Sequence, residues 1–443
     1  MSTVTPIQTG LLARVTCPHC WHRFPPEETL FVSQHPDLHN DARLGSEHQQ
    51  RFLPTRFNVQ GAALDSRGFP CHDLACPHCH LSVPRVLFEL EPHFFSILGA
   101  PACGKSYLLA AMAWQLRRTL AKQFCLTFND AAPTFNHHLN HYEETLFLAP
   151  DQSQLVTLSK TEEQGDLYSE VLYGDTRVRY PAPFVFALRP LETHPHASQP
   201  EKISKSLCLY DNAGESFLPG SDRANSPVTR HIAQSKALFF CYDPTQDQRL
   251  RRACKGKTDD PQMQDRATRM ARENVVRQDT ILLEAADRIR RFSGMSQQVK
   301  HQAPLIVVVT KYDAWCSLLG TGPLEPPFVN NPAGPPHALD IDRIDQMSRK
   351  VRELLFDLTP EIVTAAEGFA SQVIYIPVSA MGRGPEVDAA SGMLGIRPQD
   401  IRPQWVEMPL LYVLCRWMKG LIPYIHSRAS SSPANSTSPP RRP

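Results

Sequence analysis

The chain has 443 residues, ample for a buried core and for more than one domain. Its 46 basic and 45 acidic side chains leave a formal net charge of +1, so nothing global argues for a nucleic-acid binder or an enzyme of acidic substrates. Met1 to Val15 carry neither a positive cluster nor a long apolar stretch, so no secretion signal is expected, and the 12 cysteines read as thiols of a reducing cytoplasm.

Residues 1–90 read as a metal-supported module with little helical periodicity. "TCPHCW" supplies Cys17 and Cys20, and "ACPHCH" supplies Cys76 and Cys79. Two Cys-X-X-Cys turns each aim two thiolates at one point, which makes the closed sulfur tetrahedron that Zn2+ favours. Such a site has no open position for water, so the metal is structural. Two unrelated pairs, one of them redox-active, are the alternative, but the repeats match in all four letters. Cys71, His72, His19, His22, His78 and His80 are secondary ligand candidates. The polar stretch "FVSQHPDLHNDARLGSEHQQRF" reads as an insertion between the two turns.

Residues 91–426 alternate short apolar runs with helical stretches, the pattern of an α/β domain around a mostly parallel sheet. The runs are Phe94 to Leu98, Cys125 to Phe128, Phe184 to Leu188, Ser206 to Tyr210, Ala237 to Tyr242, Leu305 to Thr310 and Val373 to Val378. The first leads into "GAPACGKS", and a helix over Ser106 to Gln123 follows, with Leu108, Leu109, Met112, Ala113, Leu116 and Leu120 at helical spacing. A strand, then Gly99, four residues and Gly104-Lys105-Ser106, then a helix, is the pattern of a loop that wraps phosphates. The amides of Ala102, Cys103, Gly104, Lys105 and Ser106 would cradle the oxygens. Lys105 would reach the terminal phosphates and the Ser106 hydroxyl would hold Mg2+.

Further along, "LCLYDNAGES" ends a strand at Asp211, placed to meet the magnesium's water shell, and Gly214 leaves its N–H free for the terminal phosphate. A second long helix is expected over Asp265 to Phe292, with Val276, Ile281, Leu282, Ala285 and Ile289 inward and its arginines in solvent. "LIVVVTKYDAW" is a buried strand followed by Thr310, Lys311 and Asp313. The Asp313 carboxylate accepts from guanine's ring N–H and amino group together, while adenine would leave it desolvated and unpaired. The Lys311 stem lies across the base, and a backbone amide of Ser379-Ala380, closing the last strand, donates to the guanine carbonyl. Met408 to Ile425 reads as a packed amphipathic helix, too charged to span a bilayer. The tail from about residue 427, rich in Ser and Pro, is expected to be disordered.

Walker A, Asp-X-X-Gly, Thr-Lys-X-Asp and Ser-Ala, in this order and each ending a strand, resemble the motifs of the translation-factor-related (TRAFAC) GTPases, which include Ras-like and heterotrimeric G-protein domains. The resemblance covers about residues 91–426. It implies a P-loop GTPase fold with helices flanking the sheet, a zinc-ribbon-like module in front, GTP/GDP and Mg2+ as ligands, and a GTP-hydrolysing switch. More narrowly, a zinc ribbon ahead of "DNAGE" is similar to bacterial double-GTPase proteins of conflict or defence systems, which implies a protein partner such as a second GTPase. Three departures stand out. Ras-like proteins have Gln where Glu215 follows the Asp-X-X-Gly, so turnover by the chain alone is expected to be slow. The third loop residue is Pro101. The resemblance also implies a magnesium-binding threonine in the first switch, for which Thr161 is the first choice and Thr176 the second. A zinc-ribbon adaptor that binds GTP or GDP without turnover is the alternative reading. An ATPase or kinase is disfavoured by Thr310-Lys311-X-Asp313, and nucleic-acid binding by the lack of a basic-aromatic stripe.

Overall fold

A computed structural model describes residues 10–158, 168–212, 214–217, 228–264, 277–332, 334–388 and 392–427. The seven apolar runs all enter one sheet: β1 (Pro92–Gly99), β2 (Leu126–Asp130), β3 (Phe184–Pro190), β4 (Lys205–Asp211), β5 (Ala237–Tyr242), β6 (Leu305–Val309) and β7 (Val373–Pro377). The order across the sheet is β2-β3-β4-β1-β5-β6-β7. From β4 to β7 every pairing is parallel, and β3 runs antiparallel to both β2 and β4. Runs such as Leu305–Val309, buried at every position, are what a strand covered on both faces requires.

Helices cover the sheet: α1 (Lys105–Phe124), α2 (Pro133–Phe147), α3 (Val228–Gln234), α4 (Gln248–Cys254), α5 (Gln278–Ser293), α6 (Ile341–Leu358), α7 (Pro360–Phe369) and α8 (Met408–Trp417). In α1 the six apolar residues picked out by spacing are all buried. Helix α5 starts at Gln278, not at residue 265 as expected, because Arg277 has extended backbone (ψ 134°); it buries Ile281, Leu282, Ala285 and Ile289. Residues 265–276, which include Val276, lie outside the described residues. One of the α5 arginines is not solvated as expected: Arg288 is buried, paired with Glu284 and placed over the Phe217 ring.

Two further expectations are corrected. The C-terminal helix stops at Trp417, because Gly420 turns the chain at positive φ and Pro423 cannot donate a helical hydrogen bond. Tyr424–Ile425 then pairs in parallel with Leu339–Asp340. Nor is α8 one-sided, since Met408 to Cys415 are all buried. A hairpin absent from the sequence reading, Tyr168–Tyr173 with Thr176–Pro181, turns at Gly174 with φ 60°. No helix among the described residues is long and apolar enough to cross a membrane.

The cysteine-rich segment is a set of short strands, including Val15–Thr16 paired with Arg23–Phe24 and a small sheet of Arg51–Phe52, Leu30–Val32 and Leu74–Ala75. It packs directly on the large sheet, and strand alternation explains how. Phe94, Val185, Ala187, Cys208 and Tyr210 face it, whereas Phe95, Phe184, Phe186, Leu207 and Leu209 join the core on the other side. The tail beyond 427 lies outside the described residues.

Candidate functional site

After β1 the chain first builds the β2–β4 side of the sheet and then crosses to β5, so β1 has later strands on both flanks. In open α/β sheets this reversal opens a crevice beyond the carboxyl ends of the strands, where ligands bind. The residues singled out from sequence collect there. Gly99 ends β1 and Ala100 to Ser106 follow it, Asp211 ends β4, Thr310 to Asp313 follow β6, and Ser379 and Ala380 follow β7.

The loop from β1 to α1 is held in an unusual conformation. Ala102 sits at φ 58° and Gly104 at 91°. A non-glycine residue in the left-handed region costs on the order of 1 kcal/mol or more and persists where the surroundings enforce it. Lys105 is buried, and its Nζ donates to the carbonyls of Gly99 (3.1 Å) and Ala100 (2.9 Å) within the loop itself. Cys103 is fully buried and Ser106 stands in the first turn of α1, whose leading N–H groups have no intrahelical acceptor. The loop is thus a backbone cradle at a helix N-terminus, suited to an anion.

Gly214 shows why no larger residue fits after Asp211-Asn212-Ala213. A Cβ there would lie 2.5 Å from Pro101 N and 2.8 Å from Ala100 C, so this backbone rests on the loop. Asp211 is buried at the strand end. Asn212, which sequence reading passed over, ties this turn down: its Nδ2 donates to Ile97 O at 2.9 Å, and its Oδ1 lies 2.8 Å from His231 Nε2. His231 in turn stacks on Trp21, next to Cys20, with centroids 5.4 Å apart. Ala213, the Glu215 side chain and Thr161 lie outside the described residues. Thr176 is exposed at the hairpin turn, opposite Tyr173, whose hydroxyl lies 3.2 Å from His78 Nδ1 beside the cysteines.

At the far end, a cavity of about 210 Å³ reaches from Ala102, Gly104 and Tyr107 to Asp313, Ser379 and Ala380. Burial raises the Asp313 carboxyl above the ordinary range, against the opposing effect of the Ser379 hydroxyl, which donates to it. Thr310 Oγ1 donates to Cys103 O (3.1 Å), joining the two ends of the crevice, and Trp315 Nε1 donates to Thr310 O (2.9 Å). Lys311, at φ 54°, sends its ammonium to Asp243 Oδ2 (2.7 Å), Thr245 Oγ1 (3.2 Å) and Gln262 Oε1 (2.6 Å). None of these three was foreseen. Asp243 had a signal, an acid at the end of the buried run Ala237 to Tyr242, while Gln262 had none. Leu394, Gly395 and Ile396 also line the cavity, brought in from the segment after Ser379-Ala380.

The four cysteines of the two repeats converge. Cys17, Cys20, Cys76 and Cys79 are fully buried, with all sulfurs within 4.8 Å of one another. Cys17 and Cys79 sulfurs lie 3.7 Å apart, as do those of Cys20 and Cys76. A tetrahedron with Zn–S of about 2.3 Å has an edge of about 3.8 Å, so the set is compatible with Zn2+. The two turns are built alike: Trp21 N donates to Cys17 O and His80 N to Cys76 O, with Trp21 and His80 both at positive φ. The neighbouring histidines are engaged elsewhere. His19 lies between Pro181 O and Ser82 O, and His80 Nδ1 is 2.9 Å from the Asp41 carboxylate. Cys71 is buried near Asp65, apart from the cluster.

The Gly214 contact has a direct consequence. Gly214→Ala is expected to destabilise the fold by about 1–3 kcal/mol, as other overpacked sites do, because backbone atoms of Ala100 and Pro101 must shift. Equilibrium urea unfolding measures it; an unchanged midpoint would mean that the close approach to the loop is not maintained in solution.

No family model and no curated protein matches the chain. Among solved structures it is similar to a chain of the "Signal recognition particle receptor SRb-GTP/SRX complex from Chaetomium thermophilum", at 12% identity, over 66% of this chain and 96% of that one, with a TM-score of 0.21. At that score the likeness is too slight to carry an argument about fold or activity.

Proposed function

We propose that the chain is a guanine-nucleotide-binding switch of the P-loop GTPase type that hydrolyses GTP to GDP and phosphate. The observation that carries this reading is the single cavity with the Gly99–Ser106 loop at one end and a desolvated Asp313 carboxylate at the other. A phosphate chain and a base with two adjacent N–H donors satisfy both ends at once. In this reading Lys105 and the Gly214 N–H meet the terminal phosphate. Ser106, Asp211 and Thr161 are the magnesium ligands, the ion supplying charge neutralisation to the phosphates. Lys311 flanks the base, Asp313 reads its donor pair, and Ser379-Ala380 its carbonyl. Residues 91–426 form the GTPase domain, and residues 1–90 a zinc-ribbon module whose metal is structural.

Glu215 supports slow turnover by the isolated chain. As a carboxylate it accepts hydrogen bonds but does not donate, and it brings negative charge toward phosphate oxygens. A protein partner, such as a second GTPase in a bacterial conflict or defence system, would then supply a cation in trans. The same residue favours the second reading, an adaptor that binds GTP or GDP without turnover.

Three measurements test this. GTP and GDP should displace a fluorescent guanine nucleotide far better than ATP does, and Asp313→Asn should shift preference to xanthine nucleotides, whose carbonyl replaces the amino donor; equal competition by ATP would sink the base assignment. Elemental analysis should find one zinc per chain, and Cys76→Ser should lower soluble yield, since structural zinc contributes folding free energy. Single-turnover GTP hydrolysis should be slow for the isolated chain and faster with its partner, by on the order of a thousand-fold if the partner supplies an arginine. Fast turnover abolished by Glu215→Ala would instead make Glu215 the catalytic group.

A further inference from the structure

We infer that Gln262, carried on the connection between β5 and α5, recognises the sugar of the bound nucleotide, and that Lys311 does not. This rests on the guanine-nucleotide reading above. An ammonium has three donors, and Lys311 Nζ has three protein acceptors: Asp243 Oδ2 at 2.7 Å, Thr245 Oγ1 at 3.2 Å and Gln262 Oε1 at 2.6 Å. Asp243 is completely buried, and its other oxygen accepts from the Thr245 backbone N–H (2.9 Å) and hydroxyl (2.7 Å). Turning the ammonium toward a ligand would strip a buried carboxylate of its counter-charge, a loss no sugar hydroxyl repays. Lys311 therefore offers the nucleotide its methylene stem and nothing more.

Gln262 is left with the opposite polarity. Because its carbonyl oxygen faces the lysine, its Nε2 points away, and no described residue accepts from it, although Gln262 lines the cavity. The position is intermediate between the two ends of the crevice. Asp243, which shares the lysine, opens the turn Pro244–Gln246, and Gln246 Nε2 donates to Pro101 O of the phosphate loop at 3.0 Å. The other end of the lysine residue's own turn is Asp313. A ligand spanning loop and carboxylate places its sugar at this midpoint, where a hydroxyl oxygen accepts from Gln262 Nε2.

The turn that presents Gln262 is itself seated with little tolerance. Asp260 Oδ1 accepts from Gln262 N at 2.7 Å, capping the turn Pro261–Met263. The Asp260 carboxylate lies where a side chain at 384 would begin, 2.9 Å from the Cβ position of Gly384. Gly384 belongs to the segment whose Met381, Arg383 and Pro385 form the cavity wall.

The test is isothermal titration of the full chain with GDP and with 2′,3′-dideoxy-GDP, for the parent protein and for Gln262→Ala and Gln262→Glu. The glutamate variant keeps an acceptor for Lys311 and loses only the donor. The parent is expected to bind GDP roughly three- to tenfold more tightly than the dideoxy form, the range of one net hydrogen bond. Both variants are expected to bind the two ligands equally. A parent that binds both alike, or a variant that keeps the parent's ratio, overturns the assignment while leaving guanine-nucleotide binding intact. A parent that binds neither ligand overturns the guanine reading and this inference together.

Discussion

Everything at the crevice depends on β1 being clasped in parallel register on both sides. Ile97 pairs with Asp211 of β4 and with Phe239 of β5, and Gly99 pairs with Cys241. This register sets how far the loop after β1 stands from Asp211. It leaves no room for a side chain at Gly99, where a Cβ would lie 2.6 Å from Cys241 O. Gly214 lies against the loop for the same reason. A slip of one residue on either flank would turn the side chains of a buried strand to the wrong face, so the buried pattern of β4, β1 and β5 enforces the geometry of the site.

The cysteine cluster reinforces this arrangement from behind. Its loops share an apolar core with one face of the sheet, and the Tyr210 hydroxyl, one residue before Asp211, donates to Pro18 O between Cys17 and Cys20. Trp21, His231 and Asn212 continue the contact to the turn that carries Gly214. A metal there would do more than fold a small module: it would stiffen the support of the strand end at which Asp211 stands.

The Lys311 end of the cavity is organised differently. A buried ion pair stabilises little by itself, because desolvation offsets the attraction. Here Asp243 and Lys311 are surrounded by partners that satisfy their remaining valences, so the pair fixes geometry. Asp313, by contrast, accepts from the Ser379 hydroxyl, and burial still raises its pKa.

How much of this was legible in sequence follows from the range of the interactions. The four cysteines and the loop after β1 were legible because each is made by a few consecutive residues whose backbone geometry is local. The seven strands were legible because burial on both faces demands unbroken apolar runs, and α1 because its spacing of apolar residues is helical. The antiparallel edge formed by β2 and β3 was not, since pairing direction is set by connections and neighbours, which a run of apolar residues does not encode. Neither was the end of α8 at Trp417; the hairpin ending at Pro181 did carry a signal, the Gly174-Asp175 turn followed by the alternation of Arg177 to Tyr180, which sequence reading passed over. Asn212, Asp243 and Gln262 are ordinary polar residues in the chain. Only the tertiary structure makes them part of the site, because each acts on a group more than a dozen residues away, and hydrogen bonds of that reach exist only once the sheet has assembled.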